Sequence, residues 1–375
     1  MKTPPFCPYS GCDAHFHPPS SPRWFVRRGF YRSARAGRTQ RYRCLSCGRS
    51  FSDATFSIDF YVHRVVDYRQ LLLLTASCTG IRQMGRTMGI HRGMVLNRIM
   101  RLARQAISVQ TTFMRDHLLD EPVVADGLRS FWISQFVPNE FAAVVGKGSR
   151  FCFAYTAYSL RRSGRMSDAQ RKKRDELERL FRASPKAAEE GFSRIIDEVT
   201  RICPSAGDDL VLHTDEHQAY TRALKNNGGW SELALKGRVK HVRTSSKAPR
   251  TANNPLAAIN SFDRSVRNDL AEHVRETIRF ARSVGASQDR FAVYEHWHNF
   301  RKRASIDETR HEERTHAELA GYSAKELKRA LRGFFTKRPF YTRNPPWGVL
   351  RDVWLRTQRT PFHVKPDYLP SHLVV

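Results

Sequence analysis

The sequence predicts a multidomain protein: a small zinc ribbon and an all-α helix-turn-helix precede an α/β domain with a mixed five-stranded sheet and a helical C-terminal tail. Three observations support this prediction. Two close pairs of cysteines stand near the N-terminus, a helical segment with spaced glycines follows them, and beyond about residue 120 strand-like and helical runs alternate. We place the ribbon at 1–58, the helix-turn-helix at 59–116, the α/β domain at 117–300 and a basic extension at 301–375.

The charge of the chain restricts the class of partner. Its 375 residues include 64 Lys and Arg against 36 Asp and Glu, which gives a net charge of +28. The first 120 residues alone carry 19 basic and 6 acidic side chains. An excess this large points to a polyanion and is unusual for a metabolic enzyme. Because 40% of the residues are hydrophobic, the chain can build real cores, which excludes a disordered basic tail protein.

The ribbon prediction rests on four cysteines. The two pairs are Cys7 with Cys12 and Cys44 with Cys47, separated by a 31-residue arm. When the arm folds back, two such pairs supply the four thiolates of one tetrahedral structural Zn²⁺. The second pair, C-x2-C followed by glycine, is typical of a zinc knuckle, whereas the first is looser, and His15 or His17 could replace one of its ligands. The alternative is a set of reduced thiols without a metal.

The arm between the cysteine pairs is rich in arginine and aromatic residues, a composition that suits contact with DNA phosphates. The candidate DNA-binding side chains in it are Arg27, Arg28, Arg32 and Arg35. We expect neither a signal peptide nor a membrane span, because no apolar run is long enough to cross a bilayer. The expected compartment is therefore a reducing cytoplasm, with the protein associated with the nucleoid and no membrane partner.

The run TGIRQMGRTMGIHRGMVLNRIMRLARQ has the spacing of a helix-turn-helix. Gly85 would let two helices pack closely, Gly89 would take the positive φ of the turn, and Val95 would anchor the second helix. The exposed face of that helix would present five side chains to phosphates and base edges: His91, Arg92, Asn97, Arg98 and Arg101. An ordinary helical hairpin is the alternative, because this glycine spacing also recurs by chance.

The segment after residue 120 has the pattern of an α/β domain. Five apolar runs predict strands: EPVVADGL, FAAVV, RFCFAYTAY, DDLVLHTD and RVKHVRT. The second and third would form a hairpin through the glycine-rich GKGS. Residues 161–201 predict charged helices that break at the Ser-Pro near 184. A last amphipathic helix would begin at Asn254 and carry its apolar stripe to Val274, with Glu272 towards its polar side. The order is therefore three strands, helix, two strands and helix.

Three acids stand where they could share metal ions. Asp126 and Asp215 each end a predicted strand, so neighbouring strands would bring both carboxylates to one edge of the sheet. Two carboxylates that close repel each other unless a cation lies between them, and hard divalent ions with oxygen ligands meet that need. Asp263 falls in the apolar face of the last helix, where a charge needs a partner or a metal. A salt bridge with Arg267 is the alternative for Asp263, and Glu295 is the alternative third acid.

In these motifs the chain resembles the DDE-type transposases of bacterial and archaeal insertion sequences, and among them those with an N-terminal zinc ribbon, a helix-turn-helix and an RNase H-like catalytic domain. The resemblance covers about residues 5–300. It lies in CPYSGC, FYRSARAGRTQRYRCLSCGRSFSDATF, the helix-turn-helix glycines, ADG, HTDEHQAY and the stretch that begins NNPLAAINSFDR. It implies that Asp126 and Asp215 are the first two metal-binding acids. Asp263 falls where the family usually has Glu, so the third acid is either Asp263, in a DDD variant, or Glu295.

The resemblance also implies an activity. The chain would be a metal-dependent DNA strand transferase and endonuclease, with two Mg²⁺ ions at the three acids and a structural Zn²⁺ in the ribbon. Its partners would be the double-stranded DNA of the element's terminal repeats and of the target, and it would act as a homodimer or a higher oligomer on DNA. Two other functions stay open: a DNA-binding regulator without catalysis, and a structure-specific nuclease that cuts without joining ends.

Overall fold

The computed structural model describes residues 3–33, 37–203, 209–245, 247–274, 279–305, 313–358 and 368–375. The first part of the chain forms α1 (Asp13–Phe16), β1 (Phe25–Ser33), β2 (Gly37–Cys44), β3 (Ser50–Ser52), α2 (Tyr68–Thr75), α3 (Ile81–Met88) and α4 (Arg92–Arg115). The central part forms β4 (Val123–Phe131), β5 (Pro138–Gly146), β6 (Cys152–Ser159), α5 (Asp168–Leu180), α6 (Ala187–Arg201), β7 (Leu210–Asp215), α7 (Gln218–Asn226), α8 (Gly228–Leu235), β8 (Val239–Thr244), α9 (Ala257–Asp269) and α10 (Val284–Phe300). The last part forms α11 (His316–Leu319), α12 (Ala324–Ala330) and α13 (Gly348–Leu355).

The N-terminal unit is a three-stranded antiparallel sheet, β1–β2–β3, with a small core of its own. Trp24, Phe25, Tyr42 and Phe51 pack there beside the buried cysteines. The rings of Trp24 and Phe51 are stacked, with their centroids 5.8 Å apart. Because a core of this size buries little apolar area, a bound metal ion would supply much of the stability of the unit.

Helices α3 and α4 are joined by a three-residue turn, residues 89–91, and both predicted glycine roles are confirmed. Gly89 has a φ of +62°, which places it in the left-handed region that glycine adopts without strain. A Cβ atom on Gly85 would lie 2.7 Å from the carbonyl oxygen of Ile90, so a larger residue would push the turn away from α3. Val95 is fully buried, as expected for the anchor of the second helix.

A mixed five-stranded sheet with the order β6-β5-β4-β7-β8 lies at the centre of the chain, as predicted. Strands β4, β5 and β6 are antiparallel, whereas β7 runs parallel to both β4 and β8. The predicted break in 161–201 is confirmed, because 181–186 separate α5 from α6. The predicted position of Asp126 at a strand end is wrong. Strand β4 continues to Phe131 because β5 pairs with it along its whole length.

Helix α9 is shorter than the predicted last helix. It begins at Ala257, because the Asn254 side chain accepts the backbone N–H of Leu256 at 2.8 Å and holds a turn before the helix. It ends at Asp269, and the chain then changes direction. Glu272, which the helical pattern placed towards the polar side, is therefore buried and pairs with Arg290 of α10.

One hydrophobic core joins the helix-turn-helix, the sheet and the C-terminal helices. Helix α4 packs along α10, and α13 packs against α4 and α6. A buried charge cluster crosses this junction, where Asp289 of α10 pairs with Arg104 of α4 and with Arg356, which follows α13. The helix-turn-helix is thus fixed to the central sheet by packing and by buried ion pairs. Among the described helices, none is both long enough and apolar enough to cross a membrane.

A C-terminal segment attaches the ribbon to this body; we name residues 336–344 the C-terminal clamp. On one side, the ring of Phe340 packs edge-on against Phe6 of the ribbon, with centroids 5.0 Å apart. On the other side, the Asn344 amide donates to the backbone carbonyl of Ser108 in α4 at 2.9 Å. The clamp therefore bridges the ribbon and the helix-turn-helix.

A pair of buried histidines makes the stability of this fold depend on pH. The rings of His298 and His316 are stacked 4.1 Å apart. Their N–H groups donate to the carbonyls of Arg150 at 2.9 Å and of Ser149 at 2.7 Å. Burial lowers the pKa of His316 to about 4, and nearby Arg150 and Lys302 add to this effect. Burial, followed by the charge of His316, lowers the pKa of His298 well below its usual value.

The unfolded chain binds a proton at His316 near pH 6.5, whereas the folded chain does so only near pH 4. Stability is therefore fully present above pH 6.5 and is lost as the pH falls towards 4. We expect His316 to lower the free energy of unfolding by about 2 kcal/mol between pH 7 and pH 5. Urea denaturation of the wild type, of His316→Phe and of the exposed control His17→Asn measures it. An equal loss in all three proteins would assign the pH dependence to other groups.

Candidate metal centre, acid site and nucleic-acid interface

The four predicted cysteines meet in the ribbon. Their sulfur atoms all lie within 4.8 Å of one another, with Cys7 and Cys47 at 3.7 Å and Cys12 and Cys44 at 3.6 Å. Four thiolates bound tetrahedrally to Zn²⁺ at about 2.3 Å would be separated by about 3.8 Å. The cluster therefore fits one metal ion such as zinc, and its ligands come from both ends of the arm.

Backbone N–H groups stabilise the thiolate form of one cysteine in this cluster. Burial acts to raise the pKa of Cys44, but backbone N–H groups of Cys47 and Ser46 bring that pKa below its usual value. Burial raises the pKa of Cys7 well above its usual value. A cation bound between the sulfurs would stabilise both thiolates.

His15 supports the cluster without joining it. Its Nδ1 lies 2.7 Å from the carbonyl oxygen of Cys7, and its Nε2 lies 2.8 Å from Oγ1 of Thr342. Because both ring nitrogens have partners, His15 does not replace a cysteine, and His17 is exposed outside the cluster. His15 instead connects Cys7 of the cluster to the C-terminal clamp.

Asp126 and Asp215 lie on neighbouring parallel strands. The parallel pairing of β4 and β7 joins Val123 to Leu212 and Val124 to His213, and it ends two residues before Asp126 and Asp215. Continued by two residues, this register would set the two acids opposite each other on strands about 4.8 Å apart. Asp126 Oδ1 accepts the N–H of Gly127 at 2.7 Å, which orients that carboxylate.

Electrostatics connect the three predicted acids. Burial raises the pKa of Asp126 to about 6, and the negative charge of Asp215 contributes to the rise. Burial also raises the pKa of Asp263 well above its usual value, and the charge of Asp126 is the next largest cause. Asp126 thus interacts with both other acids, as crowded carboxylates do. A divalent cation would offset this repulsion.

Asp126 and Asp263 line one cavity of about 550 Å³. Four arginines also line it: Arg150, Arg250, Arg264 and Arg267. Asp215 is not among the described residues that line it. Arg267, the predicted alternative partner of Asp263, acts to lower the pKa of that acid through its charge. Carboxylates surrounded by guanidinium groups suit a substrate that carries phosphates and a bound cation.

Glu295, the alternative third acid, lies elsewhere. It is 2% exposed on α10 and borders a separate small cavity with Tyr155 and Trp347. Burial raises its pKa well above the usual value. The position of Asp263 on the Asp126 cavity favours Asp263 as the third acid.

Two residues beside Asp126 were missed in the sequence. Tyr220 of α7 donates its hydroxyl to Asp126 Oδ1 at 3.1 Å. Glu140 of β5 is 4% exposed, accepts from Arg129 Nε at 3.1 Å, and acts to raise the pKa of Asp126 and Asp263. The tyrosine in HTDEHQAY offered a clue, since it stands in the first turns after a strand-end acid. Glu140 carried no motif, because its position depends on the β4–β5 register.

The three acids are less tightly gathered than the cysteines. In the described part of the chain, the four cysteines are the one set of three or more His, Cys, Asp or Glu side chains whose ligand atoms lie close enough to share an ion. The charge of Asp126 acts on Asp263, and the charge of Asp215 acts on Asp126. The carboxylate oxygens of the three acids would nevertheless have to move closer together to bind one ion.

The ribbon exposes three of its four predicted DNA-binding arginines, Arg27, Arg28 and Arg32. Arg35 lies outside the described residues. On β2, the guanidinium of Arg38 lies 3.8 Å from the ring centroid of Phe30. Such stacking holds an arginine flat while its N–H groups remain able to bind phosphate. The ribbon therefore carries a basic, aromatic surface.

Helix α4 presents less of the predicted DNA-binding face than expected. His91 and Arg92 are exposed at its N-terminus, and Asn97 is half-buried. The predicted exposure of Arg98 and Arg101 is wrong, because they are only 5% and 4% exposed. Of the five predicted DNA-binding side chains here, the two at the start of the helix, His91 and Arg92, are exposed.

The two buried arginines of α4 bind backbone groups of the connection between the ribbon and α2. Arg98 donates to the carbonyl of Arg64, and Arg101 donates to the carbonyl of Ile58, both at 2.7 Å. Carbonyls outside helices and strands need such donors when they are covered. The spacing of residues along the α4 sequence could not predict this burial, because the covering segment comes from another part of the chain.

Comparison with known proteins adds no identification: no protein family model matches the chain, and no curated protein shows significant similarity to it.

Proposed function

We propose that the protein is a DDE-type transposase of an insertion element, which binds the ends of the element and catalyses metal-dependent DNA cleavage and strand transfer. Two observations support the proposal: Asp126 and Asp215 lie on the adjacent parallel strands β4 and β7, and Asp263 lines the cavity that Asp126 lines. The order of a cysteine cluster, a helix-turn-helix and a mixed five-stranded sheet is compatible with an RNase H-like enzyme of this family.

In this proposal, Asp126, Asp215 and Asp263 hold two Mg²⁺ ions. When bound, these ions would activate the attacking water or 3′-hydroxyl and stabilise the leaving oxygen. Tyr220 keeps the Asp126 carboxylate in place through its hydroxyl. The arginines of the cavity, Arg264 and Arg267 among them, would hold the DNA backbone against the acids.

The proposed DNA-binding part combines the ribbon with the start of α4. A structural Zn²⁺ in the four cysteines would hold the ribbon fold. The exposed arginines of β1 would bind phosphates, while His91 and Arg92 would enter a groove. Because the C-terminal clamp and the shared core fix these surfaces to the central sheet, DNA bound to them would lie at a set distance from the acids.

A cleavage and joining assay tests the proposal. The purified protein is mixed with linear DNA that carries the genomic sequences flanking its reading frame, with a supercoiled plasmid as target, and with Mg²⁺ or Mn²⁺. We expect metal-dependent nicks at the element ends and products in which those ends are joined to the plasmid. Nicks without joined products would indicate a nuclease instead, and an absence of both would contradict the proposed enzyme.

The spacing of the carboxylates favours one second candidate, a DNA-binding regulator without catalysis. In the described residues the three acids do not form a ready ligand set. A regulator would use the ribbon and the helix-turn-helix and would leave the central domain as an inactive platform. Specific retention of the flanking DNA in a gel shift, without nicking in either metal, would favour the regulator.

A further inference from the structure

We infer that a second cavity, which adjoins the acid site, binds an unpaired nucleobase of the DNA end. The inference rests on the proposed function and assigns a ligand, a base of the DNA end, to the second cavity. The cavity measures about 720 Å³, within the usual range for small-ligand sites. Arg267 lines both this cavity and the one that contains Asp126 and Asp263, so the two are neighbours.

Aromatic rings form much of the wall of the second cavity. Phe131, Phe136 and Phe280 line it, and each is half-buried, so part of each ring faces open space. Phe131 and Phe280 meet edge-on, with centroids 6.0 Å apart and planes at 79°. Bases removed from a helix stack on such rings, whatever their sequence.

A buried histidine supplies a polar group with which a base could bond. His273 lines the cavity and is 3% exposed, yet neither of its ring nitrogens makes a hydrogen bond. Its closest carboxylate, Glu272, is 3.7 Å away, and the ring is held edge-on by Phe141 at 4.8 Å. Burial lowers the pKa of His273 to about 3, so the ring is neutral and offers one donor and one acceptor. The edge of a base carries the same two kinds of group and would satisfy it.

The charge of the cavity favours a nucleotide over an apolar peptide side chain. Arg129, Arg162 and Arg267 line it, and no acid is among its described lining residues. The side chain of Arg129 is 68% exposed, so it can reach a phosphate outside the cavity. Aromatic walls, a neutral imidazole and guanidinium groups together match a base, its sugar and the phosphates on either side.

The test measures binding, so it does not depend on catalysis. The full-length protein is titrated, without added divalent metal or chelator, against a labelled duplex with a two-nucleotide overhang at its 3′ or 5′ end. The comparison duplex has abasic sites in the overhang. We expect the overhang with bases to bind about tenfold tighter in at least one of the two polarities.

Two variants locate the effect. Phe136→Ala removes a stacking ring, and Gln135→Trp fills the mouth of the cavity from an exposed position without removing any buried group. Both should bind the two duplexes equally and bind the abasic duplex as the wild type does. Leu235→Ala, at a position 90% exposed on α8, is the control and should keep the tenfold preference.

Each outcome bears on the two proposals separately. Equal binding of the two duplexes by the wild type overturns the inference even if the protein cleaves and joins DNA. A preference that persists in both Phe136→Ala and Gln135→Trp also overturns it, because the base then binds elsewhere. A preference lost in both variants, in a protein that never nicks DNA, supports the base site while the proposed activity fails.

Discussion

Replacing Asp126 with Asn is expected to lower the rate of metal-dependent DNA cleavage by roughly a thousandfold, equivalent to about 4 kcal/mol of transition-state stabilisation. Asp126 lies on the strand next to that of Asp215 and on the same cavity as Asp263, so in the proposal both metal positions would share it. An amide of the same shape keeps the fold but loses the charge that a cation requires. Asp215→Asn and Asp263→Asn should have comparable effects.

The matched control is Glu295→Gln. Glu295 is buried on a different cavity, and glutamine has nearly its shape, so this change should leave cleavage unchanged. Gel shifts should show that all four variants bind DNA as the wild type does. Loss of cleavage in Glu295→Gln together with full activity in Asp263→Asn would show that the third acid was assigned wrongly. Full activity in every Asp variant would falsify the enzyme proposal.

Replacing Cys44 with Ser is expected to unfold the ribbon and to weaken DNA binding by on the order of a hundredfold at moderate salt. The ribbon core is too small to replace the metal: eight buried side chains form it, and three of them are cysteines. Once the ribbon unfolds, Arg27, Arg28 and Arg32 no longer share one surface, so several phosphate contacts are lost together. Metal analysis should give about one zinc per wild-type chain.

Limited proteolysis shows whether this loss is local. Cys44→Ser should be cut rapidly in the ribbon, whereas the central sheet should survive, because it has a separate core. Cys203→Ser, which changes a half-buried thiol outside the cluster, should retain zinc, proteolytic resistance and DNA affinity. If Cys44→Ser matched the wild type in all three measurements, the cysteines would be a set of reduced thiols rather than a metal centre.

Elements governed by local patterns could be predicted from the sequence. The turn glycines Gly85 and Gly89 were identified because a positive φ and a close helix contact permit few other residues. The five strands followed from apolar runs, and the cysteine cluster followed from ligand spacing. Helix α9 was predicted too long because its apolar pattern continues past Asp269, where the chain leaves the helix to bury Glu272 against Arg290.

Features that depend on distant parts of the chain were harder to predict. Arg98 and Arg101 have the spacing of a DNA-binding face, but both are buried. Each donates a hydrogen bond to a backbone carbonyl more than thirty residues earlier in the chain. Glu140 reaches the acid site only through strand pairing, which no local motif encodes. Asp126 and Asp215 lie on neighbouring strands of one sheet, as apolar runs ending in acids suggested, although β4 continues past its acid.

The C-terminal clamp has a consequence for the order in which the molecule is completed. The ribbon can fold early, since its ligands and core come from the first part of the chain. Its docking, however, waits for Phe340 and Thr342, which the ribosome makes only after the whole central sheet. Until then a nascent chain would carry a ribbon that swings freely, able to touch DNA without holding it in line with the acids. A nascent chain could therefore bind DNA through its ribbon, but only a nearly complete chain could hold that DNA against the acids.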